Sequence, residues 1–572
     1  MTSPSRTTFR LLAAILLVGT SAAAFANTPA EGGQATENGQ SVENGQAAEA
    51  KGHRPQPGWV RRSTELRLPG GGRIRALHEP PHKAVPTRER ARPVRPARQQ
   101  RRLTDSATLG VTTDAPPSVS VSIIDSPPID GFVPWIAVHA TDRRRAVGGD
   151  WDAVYSSSVE GNYFVSNPEN NYTIGLLDTG AGISVLSYAA ASQLGLFAAG
   201  RNTGGTVEIG GVTGSVDAWV SQPFGLWITG LGSINPDQSL NLSSLVGEWN
   251  VSTALGAEPA PGMPDLVTAI GSPMTVFIAS WIRNDIRRQV ERDGIVYEGP
   301  DITFHELTSP NLPTYPNTLP LELRPAGAAA VWYWPCFAVL EVCPGGDNSP
   351  KIPSVILGIS TQSLFFAGSV NLSDRGFIAN GKTKFMVDTG AQVTVIGSTV
   401  AAQLALNPNN PDFTVEIQGV DGQLVYKPGF YLDTLDIPAL GEWLSYTNVP
   451  VVLLDVASPE GGTLEGIIGM NLFLRYNFVF RGGGMVGQPQ PRIDFEPIPA
   501  VDADFDDDDD VDQEDFAYLQ RCLSGTDVPQ TDPLCADAFL DGDTDVDQDD
   551  VSIFLECASG PDIVAEPACR GQ

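Results

Sequence analysis

The 572-residue sequence is short of charged residues, of basic residues and of long hydrophobic runs. Charged residues make up only 18%, which excludes a coiled coil, because coiled coils draw about half of their residues from Ala, Glu, Lys, Leu and Arg. The 36 basic residues face 67 acidic ones, and this excess of negative charge argues against a nucleic-acid-binding protein. After residue 26, no run reaches the ~18 apolar residues of a membrane-spanning helix.

Cysteine is also scarce, with six in the chain. No two of them have the Cys-x-x-Cys spacing of a redox or zinc site, so we interpret them as structural disulfides formed in an oxidising compartment. Two lie close together in VWYWPCFAVLEVCPGG, and the other four would close two short loops near the C-terminus. In chain order, the candidates are Cys336 and Cys343, Cys522 and Cys535, and Cys557 and Cys569.

The N-terminus has the three parts of a secretory signal peptide. Arg6 and Arg10 precede an apolar run at 11–18, and Ala24-Phe25-Ala26 provides a small-x-small cleavage site. An N-terminal anchor helix is the alternative, but the apolar run is too short to span a bilayer comfortably. Residues 1–26 therefore predict export, to the extracellular space or the cell surface.

A basic, proline-rich segment occupies residues 27–118. Within it, residues 51–102 contain 15 basic and three acidic residues. Such a composition cannot bury enough apolar surface to fold alone. Two interpretations remain open: a disordered linker, or a propeptide whose positive charge docks on an acidic body until it is removed.

Residues 119–497 form a body of short β-branched and aromatic runs separated by Gly, Pro, Asn and Asp, which predicts a mainly β fold. The body repeats itself. IGLLDTGAGISVLS surrounds Asp178 and KFMVDTGAQVTVIGS surrounds Asp388, and a TVEI segment follows each Asp by 28 or 26 residues. Each copy then has two apolar residues and a glycine, Gly271 or Gly469. We therefore predict two homologous halves, a first half at 119–283 and a second half at 356–497, with an inter-lobe insertion at 284–355.

An Asp at the end of an apolar strand is unusual, because a buried carboxylate is costly unless it is paired and hydrogen-bonded. A single Asp-Thr-Gly could be an ordinary turn. Two copies, each behind an apolar strand and ahead of the same downstream pattern, indicate a shared function.

These motifs resemble those of the aspartic proteases over roughly residues 130–497. The Ala after each Asp-Thr-Gly and the segment IIGMNLF are similar to the retroviral-type (retropepsin-like) branch, whereas two halves in one chain resemble the pepsin-like arrangement. The resemblance implies a bilobal β fold and an aspartic endopeptidase that hydrolyses peptide bonds in protein or peptide substrates without a catalytic cofactor.

The resemblance also implies roles for individual residues. Asp178 and Asp388 would meet between the lobes, share one proton and activate a water molecule; the aspartic protease dyad is the standard illustration of such a shared proton. Thr179 and Thr389 would hydrogen-bond across the interface. Gly180 and Gly390 would allow close backbone approach. Ala181 and Ala391 cannot donate a hydrogen bond to the dyad as Ser or Thr would, so we expect a mildly acidic to near-neutral pH optimum.

The hairpins IGGVTGS (209–215) and IQGVDGQ (417–423) match the position of the family's substrate-covering flap. Plain β-hairpin turns are the alternative. The candidate flap and substrate-binding residues are Gly210, Gly211, Gly214, Gly419 and Gly422.

The acidic tail, residues 498–572, contains a second repeat with an offset of 35 residues. Its aspartates follow the spacing of an EF-hand calcium loop. With an Asp at loop position 12 and a helix after each loop, the repeat resembles a dockerin module, which implies bound calcium and a cohesin-like partner. Phe539 replaces an acid at position 1 of the second loop, so we expect that loop to bind calcium more weakly. A solvated acidic tail is the alternative. The candidate ligands are Asp504, Asp506, Asp508, Asp510, Asp512 and Asp515 in the first loop, and Asp541, Asp543, Asp545, Asp547 and Asp550 in the second.

One alternative function belongs to a different class. A non-catalytic peptide-binding protein, or a scaffold component of a dockerin-mediated extracellular complex that degrades polysaccharide, could keep the two-lobed shape. The two intact Asp-Thr-Gly triads favour the enzyme, since a binding module has no need of two facing acids.

Overall fold

The computed structural model describes most of the body and of the acidic tail. The described residues are 121–142, 155–210, 215–261, 265–325, 362–418, 424–458, 462–483, 489–499, 501–506, 510–560, 565 and 569, with short upstream strands at Thr8–Leu11, Thr64–Arg67 and Arg73–Ala76. Strands predominate, as predicted. The rest of the predicted signal peptide and of 27–118 lies outside the described residues. No helix among the described residues is both long and apolar enough to cross a bilayer.

The first half forms one ten-stranded sheet. Its central strands are almost wholly apolar and are buried along their length, as expected of strands covered on both faces. Numbering begins with β1, Val121–Asp125, which joins the second sheet. The strands of the first sheet are β2 (Trp135–Thr141), β3 (Tyr155–Ser156), β4 (Thr173–Leu177), β5 (Val185–Leu186), β6 (Asn202–Gly210), β7 (Ser215–Ser221), β8 (Phe224–Gly230), β9 (Val246–Val251), β10 (Ala254–Gly256) and β11 (Ala269–Ile270).

A second, larger sheet contains the strands of the second half and those that connect the halves. Its strands are β12 (Ile278–Arg292), β13 (Ile295–Glu306), β14 (Asn317–Pro325), β15 (Gln362–Phe366), β16 (Val370–Asp374), β17 (Phe377–Lys382), β18 (Phe385–Val387), β19 (Val395–Ile396), β20 (Phe413–Gln418), β21 (Leu424–Ile437), β22 (Trp443–Leu453), β23 (Gly466–Ile468), β24 (Tyr476–Arg481) and β25 (Arg492–Pro497).

The two halves share one strand-pairing pattern around their Asp-Thr-Gly segments. In the first half, β4 pairs in parallel with β11, β11 pairs antiparallel with β5, and β5 pairs in parallel with β10. In the second half, β18, β23, β19 and β22 repeat that sequence of pairings. The internal repeat of the sequence is therefore also a repeat of topology, and it places each Asp directly after an interior strand.

Helices are few and short in the body. A short helix follows the Asp-Thr-Gly loop in each half, with buried alanine or valine side chains against the sheet. The largest buried apolar cluster runs through both halves, so the halves share a core. The helices are α1 (Tyr188–Gln193), α2 (Ser272–Thr275), α3 (Ser398–Gln403), α4 (Gln513–Cys522) and α5 (Gln548–Cys557), with 3-10 turns at Pro168–Asn170, Leu231–Ser233, Leu242–Ser244, Met470–Leu472 and Pro533–Ala538.

The segment predicted as an inter-lobe insertion, 284–355, starts inside a strand of the second sheet. β12 pairs with β13 on one side and with β24 on the other, and β14 pairs with β25. Residues 284–325 thus belong to the second sheet: the rest of β12 pairs with β13, and β14 pairs with β25 and with β15. These pairings satisfy much of the segment's backbone. Residues 326–355, including Cys336 and Cys343, lie outside the described residues.

The acidic tail folds into two similar loop-helix units. The N-cap aspartates of α4 and α5 form capping boxes with Asp515 and Asp550. The units are joined crosswise, since Ser524 donates its backbone N–H to Val546 and Ser559 donates its backbone N–H to Val511. Disulfides Cys522–Cys535 and Cys557–Cys569 form as predicted.

Candidate active site

Asp178 and Asp388 lie directly after β4 and β18, and both side chains are fully buried. Their backbone N–H groups donate to Ile270 (3.0 Å) and Ile468 (3.2 Å), the apolar residues that precede Gly271 and Gly469. The conserved pairing of strands in the two halves therefore brings each Asp next to its own apolar-apolar-glycine triplet, and the two loops face each other.

Reciprocal hydrogen bonds between the threonines join the two loops. The Thr179 N–H donates to Thr389 Oγ1 at 3.1 Å, and the Thr389 N–H donates to Thr179 Oγ1 at 3.0 Å. Each hydroxyl in turn donates to a carbonyl of the opposite half: Thr179 to Val387 at 3.0 Å and Thr389 to Leu177 at 2.6 Å. All four bonds are buried, so they hold the two aspartates in one fixed arrangement.

Gly180 and Gly390 lie against the opposite carboxyl groups. A Cβ on Gly180 would lie 2.3 Å from Cγ of Asp388, and one on Gly390 would lie 2.6 Å from Cγ of Asp178. Both distances are far below van der Waals contact. Only glycine therefore fits at these two positions.

The two carboxyl groups differ in their surroundings. Asp388 Oδ1 accepts two backbone N–H groups, from Gly390 at 2.8 Å and from Gly180 at 3.2 Å, whereas Asp178 Oδ1 accepts that of Ala181 at 2.8 Å. Burial, and next the charge of the neighbouring Asp388, raise the pKa of Asp178 well above its ordinary value. Burial also raises the pKa of Asp388, but the hydrogen bond from Asp178 and the backbone N–H groups oppose that rise. The larger number of backbone N–H donors favours the charged form of Asp388.

Several polar residues support the dyad that the sequence analysis did not single out. Ser184 and Thr394 accept the backbone N–H of Gly271 (3.0 Å) and Gly469 (3.3 Å) with their hydroxyls. Each lies six residues after its aspartate. A hydroxyl residue repeated at this position of both halves could have identified the pair from the sequence. Ser272, by contrast, donates to the Thr179 carbonyl at 2.6 Å without a counterpart in the other half, where Met470 stands.

The two candidate flap hairpins are present as β6–β7 and β20–β21. Ile209 and Ile417, close to the turns of their hairpins, are fully buried in the apolar clusters that include Ala181 and Ala391 respectively. Gly210 ends β6. The remaining candidate flap residues, Gly211, Gly214, Gly419 and Gly422, lie outside the described residues.

A cavity of about 450 Å³ between strands of the first half and the segment 303–311 is separate from this site. Its lining is rich in serine and threonine hydroxyls, and it includes none of the dyad or threonine residues described above.

The first acidic loop groups its carboxylates closely enough to hold a cation. Oxygens of Asp504, Asp506 and Asp515 lie within 4.8 Å of one another, as do those of Asp510, Asp512 and Asp515. Asp508 lies outside the described residues. The candidate ligands of the second loop, Asp541, Asp543, Asp545, Asp547 and Asp550, are all described, and no three of them come together in this way.

Comparison with known proteins finds one family model that is similar to part of the chain. Residues 376–472 match the family model described as "Aspartyl protease". No curated protein matches the chain. A solved structure titled "Crystal structure of edgp" aligns over 64% of this chain and 95% of that chain at 10% identity, with a TM-score of 0.27 that supports no conclusion. The matched residues include Asp388, Thr389 and Gly390, so the similarity to this family covers the Asp-Thr-Gly segment of the second half.

Proposed function

We propose that this chain is a secreted aspartic endopeptidase in which Asp178 and Asp388 together activate water. The observation that carries the proposal is the reciprocal threonine bonding, which fixes two fully buried carboxyl groups from two similar loops against each other. Two buried carboxyl groups in contact cannot both ionise, so they retain a proton at pH values where a free Asp has lost it.

The asymmetry of the dyad suggests separate roles for the two acids. Asp388, which accepts two backbone N–H groups, is the charged member and removes a proton from the attacking water. Asp178 holds the shared proton and donates a hydrogen bond to the scissile carbonyl oxygen. As the water oxygen bonds to the carbonyl carbon, its proton passes to Asp388. Asp178 gives its proton to the carbonyl oxygen as this bond forms. Asp388 then passes the proton from water to the leaving amine nitrogen, the peptide C–N bond breaks, and one hydroxyl of the tetrahedral carbon returns a proton to Asp178.

Ala181 and Ala391 shape the expected pH dependence. Each contributes a backbone group but no side-chain donor, so no hydroxyl at these positions lowers the pKa of either acid. The raised pKa values of the pair then favour a mildly acidic to near-neutral optimum.

For the acidic tail, we propose that it binds calcium and docks onto a partner protein. The donor set of the first loop, all carboxylate oxygens, suits a hard cation such as Ca²⁺. Asp504, Asp506, Asp512 and Asp515 would hold the ion, which would neutralise repulsion between the carboxylates. We assign the tail a calcium-dependent docking role toward a cohesin-like partner on the family resemblance.

The dyad is tested by cleavage of denatured casein from pH 3 to 8 with the wild type, Asp178→Asn and Asp388→Asn. We expect both variants to fold, because Asn keeps the shape and an acceptor oxygen, and both to lose activity. Activity that either substitution leaves unchanged would contradict the proposed catalytic site. Activity that still rises as the pH is lowered to 3 would contradict the expected effect of the two alanines.

A further inference from the structure

A strap of chain ahead of β2, residues 121–131, is bound to the second half before the chain enters the first. β1 pairs in parallel with β22, and Ser126 donates its backbone N–H to Thr447 at 2.9 Å. Ile129 then packs against the apolar cluster that contains Ala391 and Val393. The strap thus runs from the edge of the second sheet to the loop that carries Asp388.

At its end the strap contacts that loop directly. The Gly131 N–H donates to the Gln392 carbonyl at 2.7 Å. A Cβ on Gly131 would lie 2.3 Å from the Asn471 nitrogen and from the Met470 carbonyl carbon, so the strap backbone lies directly on the turn after Gly469.

A buried chain of hydrogen bonds continues from the strap to the dyad. Asn471 Nδ2 donates to the Pro128 carbonyl at 3.2 Å, and Thr394 Oγ1 donates to Asn471 Oδ1 at 2.8 Å. Thr394 Oγ1 in turn accepts the Gly469 N–H at 3.3 Å. The residue before Gly469, Ile468, accepts the backbone N–H of Asp388. Asn471 is 1% exposed and Thr394 is fully buried, so the bond between them is shielded from water, whereas the bond to Pro128 lies at an exposed part of the strap.

The first half has no matching arrangement among the described residues. Ser184 repeats the role of Thr394, but Pro273 stands at the position of Asn471 and has no side-chain donor or acceptor. The strap therefore supports one aspartate, and that aspartate is the one whose carboxylate accepts two backbone N–H groups.

We propose that Asn471 is a positioning residue, which holds the Asp388 loop in place through its bond to the 121–131 strap. By fixing this loop, Asn471 also sets how readily the dyad ionises. The inference rests on the proposed peptidase function. Loosening the loop weakens the N–H bonds from Gly180 and Gly390 to Asp388, and these bonds stabilise its charged form. The pKa of Asp388 then rises, although Asn471 does not touch the reacting atoms.

The test compares full-length Asn471→Ala and Gly131→Ala with Asn317→Ala. Asn317 is a matched control, because it is also buried and also bonds a backbone group, the Glu442 N–H at 2.9 Å, outside the strap and the Asp388 loop. For both strap variants we expect kcat to fall about tenfold with KM within about twofold, and the acid limb of the kcat/KM profile to move up by roughly one pH unit. For Asn317→Ala we expect an unchanged profile, whatever its effect on stability.

Backbone amide exchange over 386–394 provides a readout that does not depend on activity. We expect it to accelerate in Asn471→Ala and not in Asn317→Ala. Unchanged exchange, or a pH profile in Asn471→Ala that superimposes on the wild type, would overturn the strap inference while the peptidase stands. If the Asp388→Asn variant kept its activity, the proposed peptidase function would be overturned instead. The exchange result would then decide whether the strap holds the Asp388 loop.

Discussion

At the scale of single residues, His139 limits the stability of the first half in acid. It is fully buried in β2, its Nε2 lies 3.0 Å from the Pro168 carbonyl, and its Nδ1 accepts the Ala140 N–H at 2.7 Å. Both contacts suit the neutral ring with its proton on Nε2. Burial lowers the pKa of His139 to about 4, from an ordinary 6.5.

The sign of the effect follows from proton counting. Between pH 6.5 and about 4 the unfolded chain binds a proton at this residue and the folded chain does not, so stability falls as the pH falls through that window. We expect His139→Gln, which keeps a donor and an acceptor, to remove roughly 3 kcal/mol of this pH dependence. Thermal unfolding of both proteins at pH 4 to 7 measures it. Parallel curves for the two proteins would show that His139 is protonated in the folded state as well.

Residues that occur in both repeats could be predicted from the sequence, and residues that occur in one could not. Asp178, Asp388 and the two threonines stand in duplicated tripeptides, and the family resemblance that these tripeptides carry implied their pairing. Asn471 and Ser272 have Pro273 and Met470 as counterparts, and their roles depend on contacts with segments distant in the sequence. No local pattern records such contacts.

At the scale of elements, the alternation of short β runs predicted strands but not their order. Six strands, β5 to β10, lie between β4 and β11 in the chain, yet β4 and β11 pair directly with each other as parallel neighbours. Register of this kind is set by burial and pairing across long sequence distances rather than by propensity. The same limit explains why 284–325 was included in the insertion predicted at 284–355: its strands match neither repeat, and β14 finds its partner β25 more than 160 residues further along the chain.

The two loop-helix units of the tail make a matched pair for testing calcium. Asp515 and Asp550 each accept three backbone N–H groups within their own loops, in the same arrangement. Carboxylates cluster around Asp515 and, among the described residues, not around Asp550. Asp→Asn therefore removes the same loop contacts at either position. Its effect on calcium affinity should be large at Asp515 and small at Asp550.

We expect one tightly bound Ca²⁺ per chain, lost in Asp515→Asn and retained in Asp550→Asn. Saturation at a hundred times Kd would stabilise the wild-type tail by about 2.7 kcal/mol. Calorimetric titration, with thermal unfolding before and after chelation, measures both quantities. Equal losses in the two variants, or two ions of similar affinity, would contradict the asymmetry of the loops.

At the scale of the whole molecule, the threonine bonds connect the two halves at the dyad. Thr389→Val leaves the Thr179 N–H and the Leu177 carbonyl buried without partners, at about 1–3 kcal/mol each. We expect a matching loss in the free energy of unfolding and a large fall in kcat. Thr389→Ser, which keeps the hydroxyl, should restore most of both. Denaturant unfolding and casein cleavage measure the two effects. A Val variant as active as the Ser variant would show that this contact does not position the dyad.

The span of that contact also has a consequence for biosynthesis. The two threonines are 210 residues apart in the chain. At ribosomal rates of about 5–20 residues per second, the second aspartate emerges roughly 10 to 40 s after the first. During that interval the nascent chain contains Asp178 but not Asp388, so the proposed dyad cannot form. A polypeptide released before residue 388 would lack one member of the proposed dyad, and we expect it to be inactive.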